Sequence, residues 1–340
     1  MLPSMNYCKI MSKTFALLFL FLLISGCTKK VEYRTIDGFT QGTTYHIAYS
    51  ADIPDSLNAV VDKILTDIDN SLSVYNDSSV ISNVNRGVDI PLDSLFIEVF
   101  NKSVEIYNIS KGAFDISGAP MFDVWGFGFK NREKVTQDDI DSIKQFVGMD
   151  KVRIENGKVV KSDSRLTLNA NAIAQGYTSD VIAGAFDKLG IMNYMIEVGG
   201  EIFCKGHNSK GTEWSVGIDK PIEGNVIPGE DLQEILSLSG KGLATSGNYR
   251  KFYEEDGKKY AHTIDPRTGY PVTHSLLSAT VVANDAMTAD ALATYFMVVG
   301  LDEAKAYLDS NPDVDAYLVY SESGKFQVYK TDGIKTLKLK

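Results

Sequence analysis

LATSGNYRKFYEEDGKKYAHTIDPRTGYP at 243–271, VTHSLLSATVVA at 272–283 and NDAMTADALAT at 284–294 follow one another without a break. The first piece closes in a turn, where Pro266 and Gly269 suit type I or type II geometry. Residues 272–283 read as a strand, and Ala286–Val299 reads as a helix. His262 and Asp265 lead into the turn, and Asp285, Asp290 and Thr294 open the helix. A purely structural protein has little use for that density of His, Asp, Thr and Gly around one turn and one helix start.

Outward from this stretch, strands and helices mix. Tyr45–Ser50 follows Gly42-Thr43-Thr44 and reads as a strand. Asp55–Leu72 reads as a helix, because Leu57, Val60, Val61, Ile64, Leu65 and Ile68 share one face; Asp55 is placed to cap it. Leu92–Ser110 is a second helix, with Phe96, Val99, Phe100 and Tyr107 in register, ended by Lys111-Gly112. Ile173–Leu189 is a third, with Gly176 and Gly184 on a face suited to close packing. Tyr194–Val198, ending in Gly199-Gly200, and Trp214–Ile218 read as strands. Residues 224–230, GNVIPGE, read as an exposed loop or insertion. Leu301–Leu308 is a further helix, and Ala316–Tyr320 with Lys325–Tyr329 forms a hairpin around Ser323-Gly324. Regular β-α-β alternation is missing, so the expected class is α+β rather than a doubly wound parallel sheet.

The N-terminus reads as an address. Lys9 and Lys13 precede ten apolar residues, Phe15–Ile24. That is about half of a membrane-spanning helix and fits the core of a signal peptide. Leu23-Ile24-Ser25-Gly26-Cys27 fits a lipoprotein lipobox, with cleavage before Cys27 and acylation of its thiol; an ordinary secretory signal is the alternative. On this reading residues 1–26 are the signal, 27–40 a lipidated tether and 41–340 the functional body. Several acyl chains anchor stably where one does not. Cys204 is then alone, so no disulfide framework is expected. The formal net charge of −10 excludes a basic nucleic-acid surface but leaves a nucleotide ligand open.

Asp290 and Thr294 lie four apart on one predicted helix face. A carboxylate beside a hydroxyl suits Mg²⁺. The same pair equally suits a charge favourable to the helix dipole and a hydroxyl bonded to its own backbone. His262 is placed to act as a general base or to bond the turn. Arg267 is placed to hold phosphate or to pair with a nearby carboxylate. The acid-flanked glycine turns at 112–115 and 197–201 allow close backbone approach to a ligand. The chain has no P-loop, dinucleotide fingerprint, zinc spacing or nucleophile elbow.

Nine blocks together resemble one family. They are GTTYHI (42–47), GAFDIS (112–117), WGFG (125–128), LNANAIAQGYTSD (168–180), EVGGEI (197–202), WSVGID (214–219), ATSGNYRKFY (244–253), HTIDPRTGYP (262–271) and DAMTADALAT (285–294). In order and spacing the chain is similar to the FAD:protein FMN transferases, the ApbE-type flavin transferases. The resemblance implies a T-fold-like α+β body of mixed and antiparallel sheets with packed helices. It implies Mg²⁺-dependent transfer of FMN from FAD to a Thr or Ser hydroxyl of a target protein, with release of AMP. An FAD pyrophosphatase and a non-catalytic FAD-binding lipoprotein are the alternatives it leaves. By correspondence Asp290, Thr294 and the Ala172 carbonyl hold the metal, and His262 activates the acceptor hydroxyl. Gln41, Ser73, Tyr75, the turn Ala113-Phe114-Asp115, Asn169, Gln175 and Ile264 line the FAD site.

The family often carries Asp at the position of Asn169 and Lys or Glu at that of Gln175, so this chain brings less charge to the dinucleotide. Expected partners are subunits of a sodium-pumping NADH:quinone oxidoreductase or a related flavoprotein complex. The expected place is the periplasmic side of the inner membrane. Asp115–Pro120, DISGAP, resembles the motif on which such enzymes act, but Pro120 has no hydroxyl, so no flavin attachment is expected there.

Overall fold

The computed structural model describes residues 31–338 apart from 51–56, 127–134, 223, 226–228, 249–251, 256–257 and 262; at 252–255 and 258–261 it describes the backbone alone. Strand β1 (Tyr33–Thr40) pairs antiparallel with β2 (Thr43–Ser50) across Gln41-Gly42. Both turn residues are left-handed, at φ +51° and +75°, the geometry of a tight hairpin turn. Residues 33–40, placed by the sequence reading in the tether, are therefore the first strand of the sheet. Residues 33–340 form one compact unit.

Helix α1 (Asn58–Leu72) buries Val61, Leu65, Ile68 and Leu72 at helical spacing. Its N-cap position is Leu57, and Asp55, the expected cap, lies outside the described residues. Helix α2 (Val80–Asn85) is capped by Ser79, and α3 (Ser94–Ile109) by Asp93, whose side chain accepts from the Phe96 amide at 2.8 Å. Lys111 and Gly112, both at positive φ, end α3 as expected. Then come α4 (Ala119–Val124), α5 (Gln137–Lys144) with a Thr136/Asp139 capping box, and the hairpin β3 (Val152–Glu155) and β4 (Lys158–Lys161). None of these short elements was expected; they span too few residues to show a period.

Helix α6 (Ala174–Lys188) leads to β5 (Tyr194–Val198), β6 (Glu201–Lys205), β7 (Trp214–Asp219), β8 (Leu232–Leu238) and β9 (Lys241–Gly247). Short pairs follow, β10 (Phe252–Glu255) with β11 (Lys258–Ala261) and β12 (Ile264–Asp265) with β13 (Tyr270–Pro271). Strand β14 (Leu276–Ala283) starts four residues later than the sequence run suggests. The Val272 amide is already bonded to the Thr263 carbonyl, and the His274 ring accepts from the Leu276 amide. Helices α7 (Ala286–Val299) and α8 (Leu301–Ser310), then β15 (Asp315–Glu322), β16 (Lys325–Lys330) and β17 (Thr336–Leu337), complete the chain.

Eight strands form one sheet in the order β1-β2-β5-β6-β9-β14-β15-β16, with each neighbouring pair antiparallel. Alternate residues serve opposite faces. Val281 and Leu318 pack against the helices with Leu292 and Phe296, whereas Val282 and Val319 pack against Trp214, Val216 and Leu236. The latter residues belong to a three-stranded sheet, β17-β8-β7, on the second face. Helices on one face and a small sheet on the other explain why β14 is buried along nearly all its length, Ser278 and Thr280 included. The observed class is α+β with antiparallel sheets.

Candidate active site

The heads of α6 and α7 meet, and some of the candidate residues lie on the segments around that meeting. Asp290 is only 5% exposed. Its Oδ2 accepts from the Gly176 amide at 3.2 Å. Gly176 is the third residue of α6, so its amide is one that the helix leaves without an intrahelical partner. A Cβ on Gly176 would lie 2.3 Å from the Ala286 carbonyl oxygen and 2.9 Å from the Asp290 Cβ, so the expected close packing is real at this glycine. Gly184 has open space instead. One turn beyond Asp290, the Thr294 hydroxyl lies 3.5 Å from the Ser246 hydroxyl of β9.

Ala172 lies in the turn before α6. Its neighbours Ala170 and Ile173 accept the amides of Ala174 and Tyr177, while Gly176 donates to Asp290. Among the described residues no hydrogen bond is directed to the Ala172 carbonyl. The Asn169 amide donates to the Ile116 carbonyl at 2.7 Å, which ties this turn to the 113–117 loop. The Asn169 side chain accepts from the Asn171 amide at 2.9 Å. Gln175 packs against Gly199, where a Cβ would lie 2.7 Å from the Gln175 amide nitrogen. Gln41 donates to the Thr178 hydroxyl at 2.7 Å. The β1–β2 turn, the β5–β6 turn and the first turns of α6 thus converge.

Other candidates sit differently. The side chains of Ala113 and Phe114 are core residues. Asp115 accepts from the amide and hydroxyl of Ser117 at 2.8 and 2.6 Å; burial pushes its carboxyl up to about 6, against the pull of those two bonds. Ser117 is itself buried and accepts from the Gly148 amide, so the DISGAP segment is an internal turn. The Ser73 carbonyl accepts the Ser79 and Ser82 hydroxyls, and Tyr75 is 73% exposed at the end of α1. The Ile264 side chain is buried with Met121, Trp125 and Ile140. Arg267 binds Asp265 through Nε and Nη2, so of its two expected roles the structure shows the carboxylate pair. His262 lies outside the described residues, as does Cys27.

Electrostatically the buried carboxylates beside the two helix heads suit a cation. Burial pushes the Asp290 carboxyl above its ordinary range, and the nearby Asp180 charge adds to this. Asp180 is raised by burial too, although two backbone amides pull it down. A buried carboxylate is costly to keep ionised without a partner charge.

Residues 41–318 match the ApbE family. The chain belongs to the ApbE family. It is 32% identical over 332 residues to the FAD:protein FMN transferase of Haemophilus influenzae, covering 93% of this chain and 94% of that one. To the FAD:protein FMN transferase of Vibrio cholerae it is 33% identical over 323 residues, covering 92% and 95%. Among solved structures, the flavin transferase ApbE from Vibrio cholerae matches with a TM-score of 0.79 at 31% identity, covering 89% of this chain and 98% of that one. The apo flavinyl transferase ApbE of Pseudomonas stutzeri matches at 0.80 and 30%, covering 90% and 96%.

Among the described residues no three His, Cys, Asp or Glu side chains come together. Asp290 and Thr294 offer one carboxylate and one hydroxyl from α7, and the Ala172 carbonyl stands in the turn before α6. That sparse set of hard oxygens fits a cation that keeps water or phosphate in its shell. Asp180, Thr178, Ser246 and Gly242 were missed in the sequence. Asp180 carries one signal: it stands one helical turn after Gly176, on the helix whose glycine face the sequence marks for close packing.

Proposed function

We propose that this chain transfers the FMN portion of FAD to a Thr or Ser hydroxyl of an acceptor protein, with AMP as the leaving group. The observation that carries the reading is the junction of α6 and α7, where Asp290, Thr294 and the uncommitted Ala172 carbonyl accompany two helix N-termini. Helix N-termini favour anions such as a pyrophosphate. Asp290, Thr294 and Ala172 would hold Mg²⁺, which supplies charge neutralisation to a pyrophosphate under attack. Gln41 and Gln175, held by Thr178 and packed on Gly199, offer amide groups to the dinucleotide. Asn169, the 113–115 turn, Ser73, Tyr75 and Ile264 complete the FAD site in this reading, on a T-fold-like body. His262, in the link from β11 to β12, takes the proton of the acceptor hydroxyl.

The proposed place of work is the periplasmic face of the inner membrane, with the chain anchored by acylated Cys27. Among the described residues no helix is long and apolar enough to cross a membrane. The proposed acceptors are subunits of a sodium-pumping NADH:quinone oxidoreductase or a related flavoprotein complex.

The test mixes the body from Thr28 onward with FAD, Mg²⁺ and a domain carrying the acceptor motif. The expected result is a fluorescent acceptor band on a denaturing gel with AMP released in equal amount. Both are lost without Mg²⁺ and in Asp290→Ala, and the band is lost in His262→Ala. AMP without a band would make the chain a pyrophosphatase; neither product, with FAD bound, would make it a binding protein.

A further inference from the structure

Helices α6 and α7 exchange carboxylates. Asp180 of α6 accepts from the Ala286 amide through Oδ1 and from the Met287 amide through Oδ2, each at 2.8 Å. Asp290 of α7 accepts from the Gly176 amide of α6. In both helices the carboxylate stands one turn beyond the residue whose amide the other helix holds, Asp180 after Gly176 and Asp290 after Ala286. Ala286 and Met287 are the first two residues of α7, and their amides have no acceptor within the helix. The third amide, of Thr288, is taken by the cap residue Asp285 at 2.6 Å.

Two glycines close the arrangement. A Cβ on Gly176 would strike the Ala286 carbonyl, and a Cβ on Gly242 of β9 would lie 2.2 Å from the Ala286 nitrogen. The start of α7 is pressed between α6 and β9, and Asp180 grips it from one side with both oxygens. A carboxylate bound through two successive amides fixes both the rotation of a helix and its advance along its axis.

We infer that Asp180 is a positioning residue for the cation site: its hold on the Ala286 and Met287 amides sets where α7 presents Asp290 and Thr294. The inference rests on the proposed reading of that site. A cap that served stability alone would, when removed, lower the melting temperature and leave cation affinity unchanged. Residues that orient metal ligands typically cost roughly 10- to 100-fold in metal affinity when altered.

The experiment titrates Mn²⁺ into the full chain in detergent with FAD present, and separately measures transfer against Mg²⁺ concentration. Asp180→Asn keeps the volume but places an NH₂ group against a backbone N–H. Its Mn²⁺ affinity is expected to fall roughly 10-fold or more, with the half-maximal Mg²⁺ concentration raised in step and kcat restored towards wild type at saturating Mg²⁺. Asp180→Glu retains the charge and misplaces the oxygens, so it is expected to weaken binding too. It also serves as the test should the Asn variant not fold.

Asp93→Ala, which removes the cap of α3, is expected to lower the melting temperature with Mn²⁺ affinity unchanged. Wild-type Mn²⁺ affinity in a folded Asp180 variant would overturn the inference. Equal Mn²⁺ binding by wild type and Asp290→Ala would instead remove the site reading itself, and the inference with it.

Discussion

Asp115 shows how a single buried carboxyl sets a pH dependence. Its pKa of about 6 in the fold lies above the ordinary 3.8, chiefly because of burial. Between those two values the folded state holds the proton more tightly than the unfolded state. Acid therefore favours the fold, and this contribution is lost as pH rises through 6, on the order of 3 kcal/mol at neutral pH. Asp115→Asn can still accept both Ser117 bonds and carries no charge to bury. It is expected to unfold at higher denaturant than wild type at pH 7 and at about the same concentration near pH 4. A wild-type-to-variant gap that ignores pH would show that Asp115 is not proton-linked. At this scale the sequence is legible where a residue's type limits its use, as with the hard oxygens of Asp290 and Thr294. It is illegible where one type has several uses: the bonds of Asp180 to another helix depend on packing that local spacing does not encode.

At the scale of elements, long helices are readable because burial repeats along them. The expected spans of α3, α6 and α7 agree with the structure to within a residue or two, and Asp93 and Asp285 cap the starts of α3 and α7. Short elements such as α4 and β12 are held by partners far away in sequence, such as the bond from the Trp125 indole to the Gly269 carbonyl. No local pattern announces those partners. Gly176 and Gly184 share α6 and make opposite predictions. Gly176→Ala must push α6 from α7 and is expected to cost about 1–3 kcal/mol, together with transfer activity. Gly184→Ala meets open space and is expected to gain about 0.5–1 kcal/mol from helix propensity. Urea unfolding of the two variants checks both; equal effects would contradict the packing described.

At the scale of the whole molecule, the α+β class is legible because a mixed order of strands and helices excludes regular alternation. The strand order is not, because antiparallel pairing joins distant segments such as β6 and β9. The proposed anchor yields its own prediction. Cys27→Ser is expected to move the protein from the membrane fraction to the soluble fraction while the released body keeps its FMN transfer rate. A variant that stays in the membrane pellet would remove lipidation as the anchor.

The eight-stranded sheet also follows the order of synthesis. Each strand, read across the sheet from β1 to β16, comes later in the chain than the one before it. A chain delivered from its N-terminus can add each new strand to an edge that already exists, with no strand having to be threaded between two earlier ones. Helix α7, the element that carries Asp290 and Thr294, emerges only after β14. A nascent chain stalled before residue 284 lacks both of those oxygens, so divalent-cation capture would mark the passage of growth through the last quarter of the polypeptide.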